Sequence, residues 1–190
     1  VKDGVHVVQD RTKALIEATR VLTKQDVLVG VPGETNFKGR EAGEPSNADL
    51  AYVHDNGAPE ANIPARPFMR PGMRAAKKQI VAQLKEAGKA SLDGDSTKVT
   101  ARLHAAGLAA VASIRRVITA GIPPPLAAST VEKRIARRAS GTWRRKRRAE
   151  VAANVAADAA PGEGIFTPLI DTGALRAAIT HVIRARSGAR

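Results

Sequence analysis

The chain has no cysteine among its 190 residues. That excludes disulfides, thiolate metal sites and cysteine nucleophiles, and it fits a product of a reducing compartment. Aromatic residues make up only 3%, so a core has to be assembled from Ala, Val, Ile and Leu. No stretch approaches the roughly 20 uninterrupted apolar residues of a membrane span, and the first residues show no apolar signal-peptide run. No membrane partner is expected. Acidic residues are missing from one stretch altogether. Between Lys133 and Arg148, nine of sixteen residues are Lys or Arg and none is Asp or Glu. This run carries +9 of the formal net charge of +13, leaving +4 for the other 174 residues.

What is present suffices for one domain. Hydrophobic residues amount to 43%, and the length suits a single unit, 1–190, carrying a basic insertion at about 136–160. Val5–Val8 reads as a short strand. Asp10 is placed to cap a helix over 11–23, with Ala14, Leu15, Ala18, Val21 and Leu22 on its apolar face. Residues 27–31 read as a buried strand, ended by Pro32 and Gly33. Residues 33–47 are polar and aperiodic, as in a long functional loop. Their glycines do not make a phosphate cradle, because no Gly-Lys-Ser/Thr follows and Glu34, Glu41 and Glu44 repel phosphate.

Leu50–Val53 is a short apolar run stopped by Asn56-Gly57, a turn-favouring pair. Pro64, Pro67 and Pro71 then hold Ile63, Arg66, Phe68 and Arg70 in an extended arm suited to contact with another subunit. Helices are expected at 72–87 and 99–119, separated by a polar break over 88–98. The second has Leu103, Gly107, Ala110, Val111, Ile114, Val117 and Ile118 on its apolar face. Pro123-Pro124-Pro125 forbids helix, and Ser129 or Thr130 can cap a short helix carrying Val131 and Ile135. Near the end, Asp171 or Thr172 is placed to cap a further helical turn. From Ile179 to Arg184 the alternation has period two, as in a strand.

The expected fold is α+β: a small, mainly antiparallel sheet with two or three helices packed on one face, and long loops or arms. Strands near 27–31, 51–54 or 63–69, and 178–185 would supply the sheet.

Chemistry leaves few traces. The four histidines, at 6, 54, 104 and 181, form no His-x-His or His-x-x-x-His pair, and the carboxylates are scattered. His54-Asp55 is adjacent in a turn, where two side chains rarely aim at one reacting atom. No catalytic, cofactor-binding or metal-ligating residue is assigned, and an enzyme is not expected. The sharpest surface signal is the basic run: Lys133, Arg134, Arg137, Arg138, Trp143, Arg144, Arg145, Lys146, Arg147 and Arg148. Cations displace counterions from phosphates, and a Trp stacks on bases or on Arg. Three readings stay open: non-specific contact with DNA, docking on an acidic protein surface, and a solvated excursion.

Two segments carry a resemblance. One is Tyr52–Met73, an apolar run, a turn and Ile63-Pro64-Ala65-Arg66-Pro67-Phe68 before a long helix. The other runs from Pro124-Pro125-Leu126-Ala127-Ala128-Ser129-Thr130-Val131-Glu132-Lys133-Arg134 through the basic run to Pro168-Leu169-Ile170-Asp171-Thr172-Gly173-Ala174-Leu175 and on to Ile183. Their order and spacing resemble the neck and tail-completion proteins of long-tailed bacteriophages. The family usually carries Glu and an aromatic before the turn glycine, where this chain has Asp55-Asn56. The resemblance implies a structural virion protein, assembled in the host cytoplasm and forming a homo-oligomeric ring of sixfold or twelvefold symmetry. Its partners would be connector, head-closure, tail-terminator or tail-tube proteins, with packaged DNA crossing the ring. The rival reading is a non-specific nucleic-acid-binding protein acting through 133–148.

Overall fold

The computed structural model describes residues 12–33, 45–138 and 166–186. The elements in chain order are helix α1 (Thr12–Thr23), strand β1 (Gln25–Gly30), helix α2 (Asn47–Asn56), a 3-10 turn (Pro59–Ala61), helices α3 (Met69–Leu92), α4 (Ser96–Ala120), α5 (Ala128–Arg138) and α6 (Ala174–Ala178), and strand β2 (Thr180–Ala185). The fold is α+β, helix-rich, with β1 and β2 in one two-stranded antiparallel sheet. Just beyond the strands, the Arg186 N–H donates to the Lys24 carbonyl at 2.7 Å, which sets the register.

The expected third strand is not there. Residues 51–54 lie inside α2, because Ser46 and Asp49 form a reciprocal capping box that starts a helix ahead of the apolar run. Over 63–69 the backbone is irregular up to α3, apart from a single antiparallel bridge between Ala58 and Ile63. The polar break between the long helices shrinks to three residues, 93–95, since Gly88, Lys89 and Ser91 all continue α3. The expected strand at Val5–Val8 and the cap at Asp10 lie outside the described residues, as do most of the loop at 33–47 and most of the basic insertion.

The chain's contacts fall into two units. Within the described residues the first comprises 12–28, 77–109 and 181–186. Its core is small-residue packing: Ala87, Ala90, Val99 and Leu103, with Leu22, Val27 and Ile183 against them. The buried Ser91 hydroxyl donates to the Ala18 carbonyl at 2.7 Å, tying α1 to α3. Leu15, expected on the buried face of α1, is 54% exposed, whereas Ala18 is buried and Leu22 packs against this core.

The second unit comprises 29–33, 45–76, 110–138 and 166–180. It holds the larger core, in which Phe68, Val111, Ile114, Ile118, Ile122 and Ile179 are buried together. A satellite cluster joins Val131 and Ile135 of α5 to Phe166. Helix α4 is the one described helix long and apolar enough to cross a membrane by length and composition. Its apolar face, however, is the one read from the sequence, and Leu103, Ala110, Val111, Ile114 and Ile118 are all buried within the fold.

Candidate functional site

Helix α2 ends at Gly57, whose N–H closes on the Val53 carbonyl at 2.7 Å and whose φ is +82°. A Cβ there would stand 2.8 Å from the backbone nitrogen of Ala65, so both the conformation and the close return of the chain call for glycine. The chain turns through Pro59–Ala61 and comes back alongside itself. The Arg66 N–H then donates to the His54 carbonyl at 2.7 Å.

That return puts Asp55 at the start of α3. Its Oδ1 accepts the backbone N–H of Phe68 at 2.7 Å and of Met69 at 3.0 Å. A carboxylate on free N–H groups at a helix start satisfies both donors and complements the helix dipole. Asp55 is therefore a cap supplied from thirteen residues upstream, turned to the backbone and not to an acid–base partnership with its neighbour His54. Asp55→Ala is expected to destabilise the protein by about 0.5–2 kcal/mol, read from urea midpoints; an unchanged midpoint would contradict the cap.

The segment 63–71 is not a free arm. Phe68 is completely buried and Arg66 is 6% exposed, while Ile63 is partly buried and Arg70 is exposed. The prolines that suggested a projecting arm hold the backbone extended while its side chains find partners in the same chain. Arg66 donates from Nε to the Pro124 carbonyl at 2.9 Å and from Nη2 to the Pro125 carbonyl at 3.0 Å. Proline has no N–H and this run lies outside any helix, so its carbonyls are available as acceptors.

Arg134 makes the matching connection on the other side. It leaves α5 with its side chain 11% exposed, donates from Nη1 to the Ile170 carbonyl at 2.9 Å, and places Nε 3.8 Å from Asp171 Oδ1. This corrects one expectation and refines another. Arg134 is engaged inside the fold and is not offered to phosphate. The N-cap position of α6 is Gly173, at φ +81° and with no side chain to bond, while the expected side-chain oxygen comes from Thr172, whose hydroxyl accepts the Ala174 N–H at 3.3 Å. Asp171 ion-pairs with Arg134. Ser129 and Thr130 lie inside α5, which already starts at Ala128.

Of the remaining basic run, Lys133 is exposed on α5. Arg137 and Arg138 are on the last turn of the same helix. Trp143, Arg144, Arg145, Lys146, Arg147 and Arg148 lie outside the described residues.

Together these connections frame a cleft of about 1010 Å³ in the second unit. One wall comes from α2 and the returning segment (His54, Pro59, Ile63, Pro64, Ala65, Arg66). Pro125, Leu126, Ala127, Thr130 and Arg134 form another, and Leu169–Leu175, without Ile170, completes it. Its surface is largely apolar, with two arginines and one carboxylate, Asp171, among its lining residues.

The two arginines and His54 feel one another. Burial, then the cations of Arg66 and Arg134, pull the His54 pKa below the ordinary histidine value of 6.5, so the ring is neutral at pH 7. His54 Nδ1 is buried without a hydrogen-bond partner among the described residues. Burial also lowers the Arg66 pKa, and the nearby Arg134 charge adds to that. Arg66 forms no ion pair with a carboxylate among the described residues.

Comparison with protein-family models, with curated proteins and with solved structures finds no match to the chain. The reading of the site therefore rests on its own geometry. Among the described residues, no three His, Asp or Glu side chains are grouped to hold a metal.

One pairing had no signal in the sequence. His104 on α4 and His181 on β2 bring Nδ1 and Nε2 within 3.0 Å, with the rings edge to face. The His181 ring fits because position 107 is glycine; a Cβ there would lie 2.3 Å from His181 Cδ2. Burial and the neighbouring His104 lower the His181 pKa.

Both perturbed histidines have the same consequence for acid stability. Their folded pKa values lie below the unfolded one, so the unfolded chain takes up protons first as the pH falls. Stability is unaffected by them above 6.5 and declines below it, until the pH has dropped past the folded values. Melting temperatures recorded between about pH 8 and 5 should fall toward the acid end. His54→Gln should flatten that slope, and an unaltered slope in the variant would show that His54 titrates freely.

Proposed function

We propose that the chain is a structural assembly protein, with the neck of a long-tailed bacteriophage as the assembly. One observation supports this above others. The segments that carry the family resemblance, Tyr52–Met73, Pro124–Arg134 and the first part of Pro168–Ile183, are joined by Asp55, Arg66 and Arg134 around a single cleft. Motifs that lack a catalytic arrangement thus do a definite job: they frame a mainly apolar recess lined by two arginines. Such a recess suits the seating of another polypeptide better than chemistry on a small substrate.

In this reading the protein completes the tail or joins it to the head, as part of a sixfold or twelvefold homo-oligomeric ring around the DNA channel. Its neighbours would be connector, head-closure, tail-terminator or tail-tube proteins. The rival reading, non-specific nucleic-acid binding through 133–148, is weakened by the withdrawal of Arg134 into the fold.

Immunolabelling of particles of the phage encoding the chain tests the proposal. Label is expected at the junction of head and tail. Absence of the chain from tailed particles, together with salt-sensitive DNA binding by the purified protein, would overturn it in favour of the rival.

A further inference from the structure

Among the described residues, Arg66 has no counter-ion in the cleft. Its lining cations are Arg66 and Arg134, its one carboxylate is Asp171, and His54 is neutral at pH 7. Arg66 uses Nε and Nη2 on the Pro124 and Pro125 carbonyls, and Nη1 makes no hydrogen bond among the described residues. His54 Nδ1 is buried and also unmatched. A nearly buried cation held only by neutral carbonyls gains most from a carboxylate delivered from outside. Around these groups the surface is apolar, through Pro64, Pro125, Leu126 and Leu169. The complementary surface is an apolar side chain next to an unpaired acid.

The chain displays that combination at the turn between α3 and α4. Leu92 is 60% exposed. Asp93 is exposed, and its carboxylate makes no ion pair among the described residues. The turn is tightly built: the Asp95 N–H returns to the Ala90 carbonyl at 2.9 Å, the Gly94 N–H bonds to the Ser91 carbonyl at 3.1 Å, and Gly94 has φ +77°. Asp95 is already occupied, accepting the Lys98 N–H at 2.8 Å and lying 3.6 Å from Lys98 Nζ. Lys89 pairs with Glu86 at 2.7 Å. Asp93 is thus the acid this turn has to offer, and Leu92 stands beside it on a preformed scaffold.

We propose that the α3–α4 turn of one copy docks in the Arg66–Arg134 cleft of a second copy, with Leu92 on the proline-rich wall and the Asp93 carboxylate toward Arg66. Turn and cleft are different surfaces, so the contact is heterologous: each copy uses its cleft for one neighbour and its turn for another. A chain of such contacts closes into a ring when the rotation allows. The inference rests on the assembly reading above and gives it a subunit junction.

Because the chain has no cysteine, a disulfide test is free of background. Asp93 and Ala127 are both exposed, and Ala127 is on the cleft wall. Full-length Asp93→Cys and Ala127→Cys proteins, mixed and mildly oxidised, are expected to give a disulfide-linked dimer many times more abundant than either gives alone. In parallel, sedimentation of Asp93→Lys should show loss of the wild-type oligomer, with circular dichroism and melting temperature unchanged.

Cross-linking in the mixture no greater than in the single variants would overturn the docking. So would an Asp93→Lys oligomer of wild-type size, or a wild type that stays monomeric up to its solubility limit. None of these three results removes the chain from the phage neck, which the particle labelling decides separately.

Discussion

Phe68→Ala is expected to cost about 3–5 kcal/mol, the largest effect of any single truncation considered. Phe68 has no exposed surface and packs in one cluster with Val111, Ile114, Ile118, Ile122 and Ile179. In a chain with only 3% aromatics, the aliphatic side chains around it cannot collapse into the volume of a lost ring without moving α4. The cavity adds to the lost burial, each fully buried large side chain being worth roughly 1.5–3 kcal/mol by transfer alone. The consequence is sharp because the proline-flanked sequence reads as a projecting arm. An exposed Phe68 on such an arm would tolerate alanine within about 0.5 kcal/mol. Urea unfolding followed by circular dichroism separates the two, and a midpoint near wild type would show that Phe68 is not in the core.

Gly72→Ala should carry the opposite sign from the one helix propensity implies. Glycine inside a helix is about 0.8–1 kcal/mol worse than alanine, and Gly72 lies in the first turn of the 24-residue α3. A Cβ at position 72, however, would stand 2.6 Å from both Cα and Cγ1 of Ile114. The obstacle includes the backbone of α4, which cannot rotate away as a side-chain tip could. Overpacking of this kind costs about 1–3 kcal/mol, so the substitution should destabilise. On the same helix, a Cβ added to Gly88 would meet nothing within 4 Å, and Gly88→Ala should stabilise by about 0.4–1 kcal/mol. The paired measurement isolates packing from propensity. Equal stabilisation by both substitutions would mean that α3 and α4 do not meet at Gly72.

Regular periodicity was legible without the structure. The apolar face of α4 and the alternation that buries Ile179 and directs Ile183 inward while leaving Val182 and Arg184 exposed follow from spacing alone. So does the α+β class, because a helical repeat cannot be read as a strand of period two. Helix α2 was missed because a four-residue apolar run has too little length to show a period, although Ser46 and Asp49 are the right residues at the right spacing for a capping box.

Turn chemistry marked where the chain bends but not what the bends hold. Asn56-Gly57 and the prolines at 64, 67, 123, 124 and 125 announce interruptions of regular structure. That the first return hands the Asp55 carboxylate to α3, and that the proline carbonyls at 124 and 125 receive Arg66, depends on which distant segments come together. Charge was legible as a total and as a run, yet not as a distribution in space. Arg134 belongs to the basic run in the sequence and to the Asp171 cleft in the fold.

The amino-acid sequence by itself determined the elements that depend on local spacing, together with the exclusion of thiol chemistry. It also set the order of the motifs on which the proposal of a phage-neck role rests. Only the tertiary structure decided that those motifs frame one cleft, that Phe68 is core and not arm, and that His104 meets His181 across 77 residues of sequence. The physical reason is the range of the interactions. Periodicity and capping act within a few residues and leave their mark there. A hydrogen bond from Arg66 to a carbonyl 58 residues away leaves no local trace, because a buried arginine and a solvated one are written with the same letter.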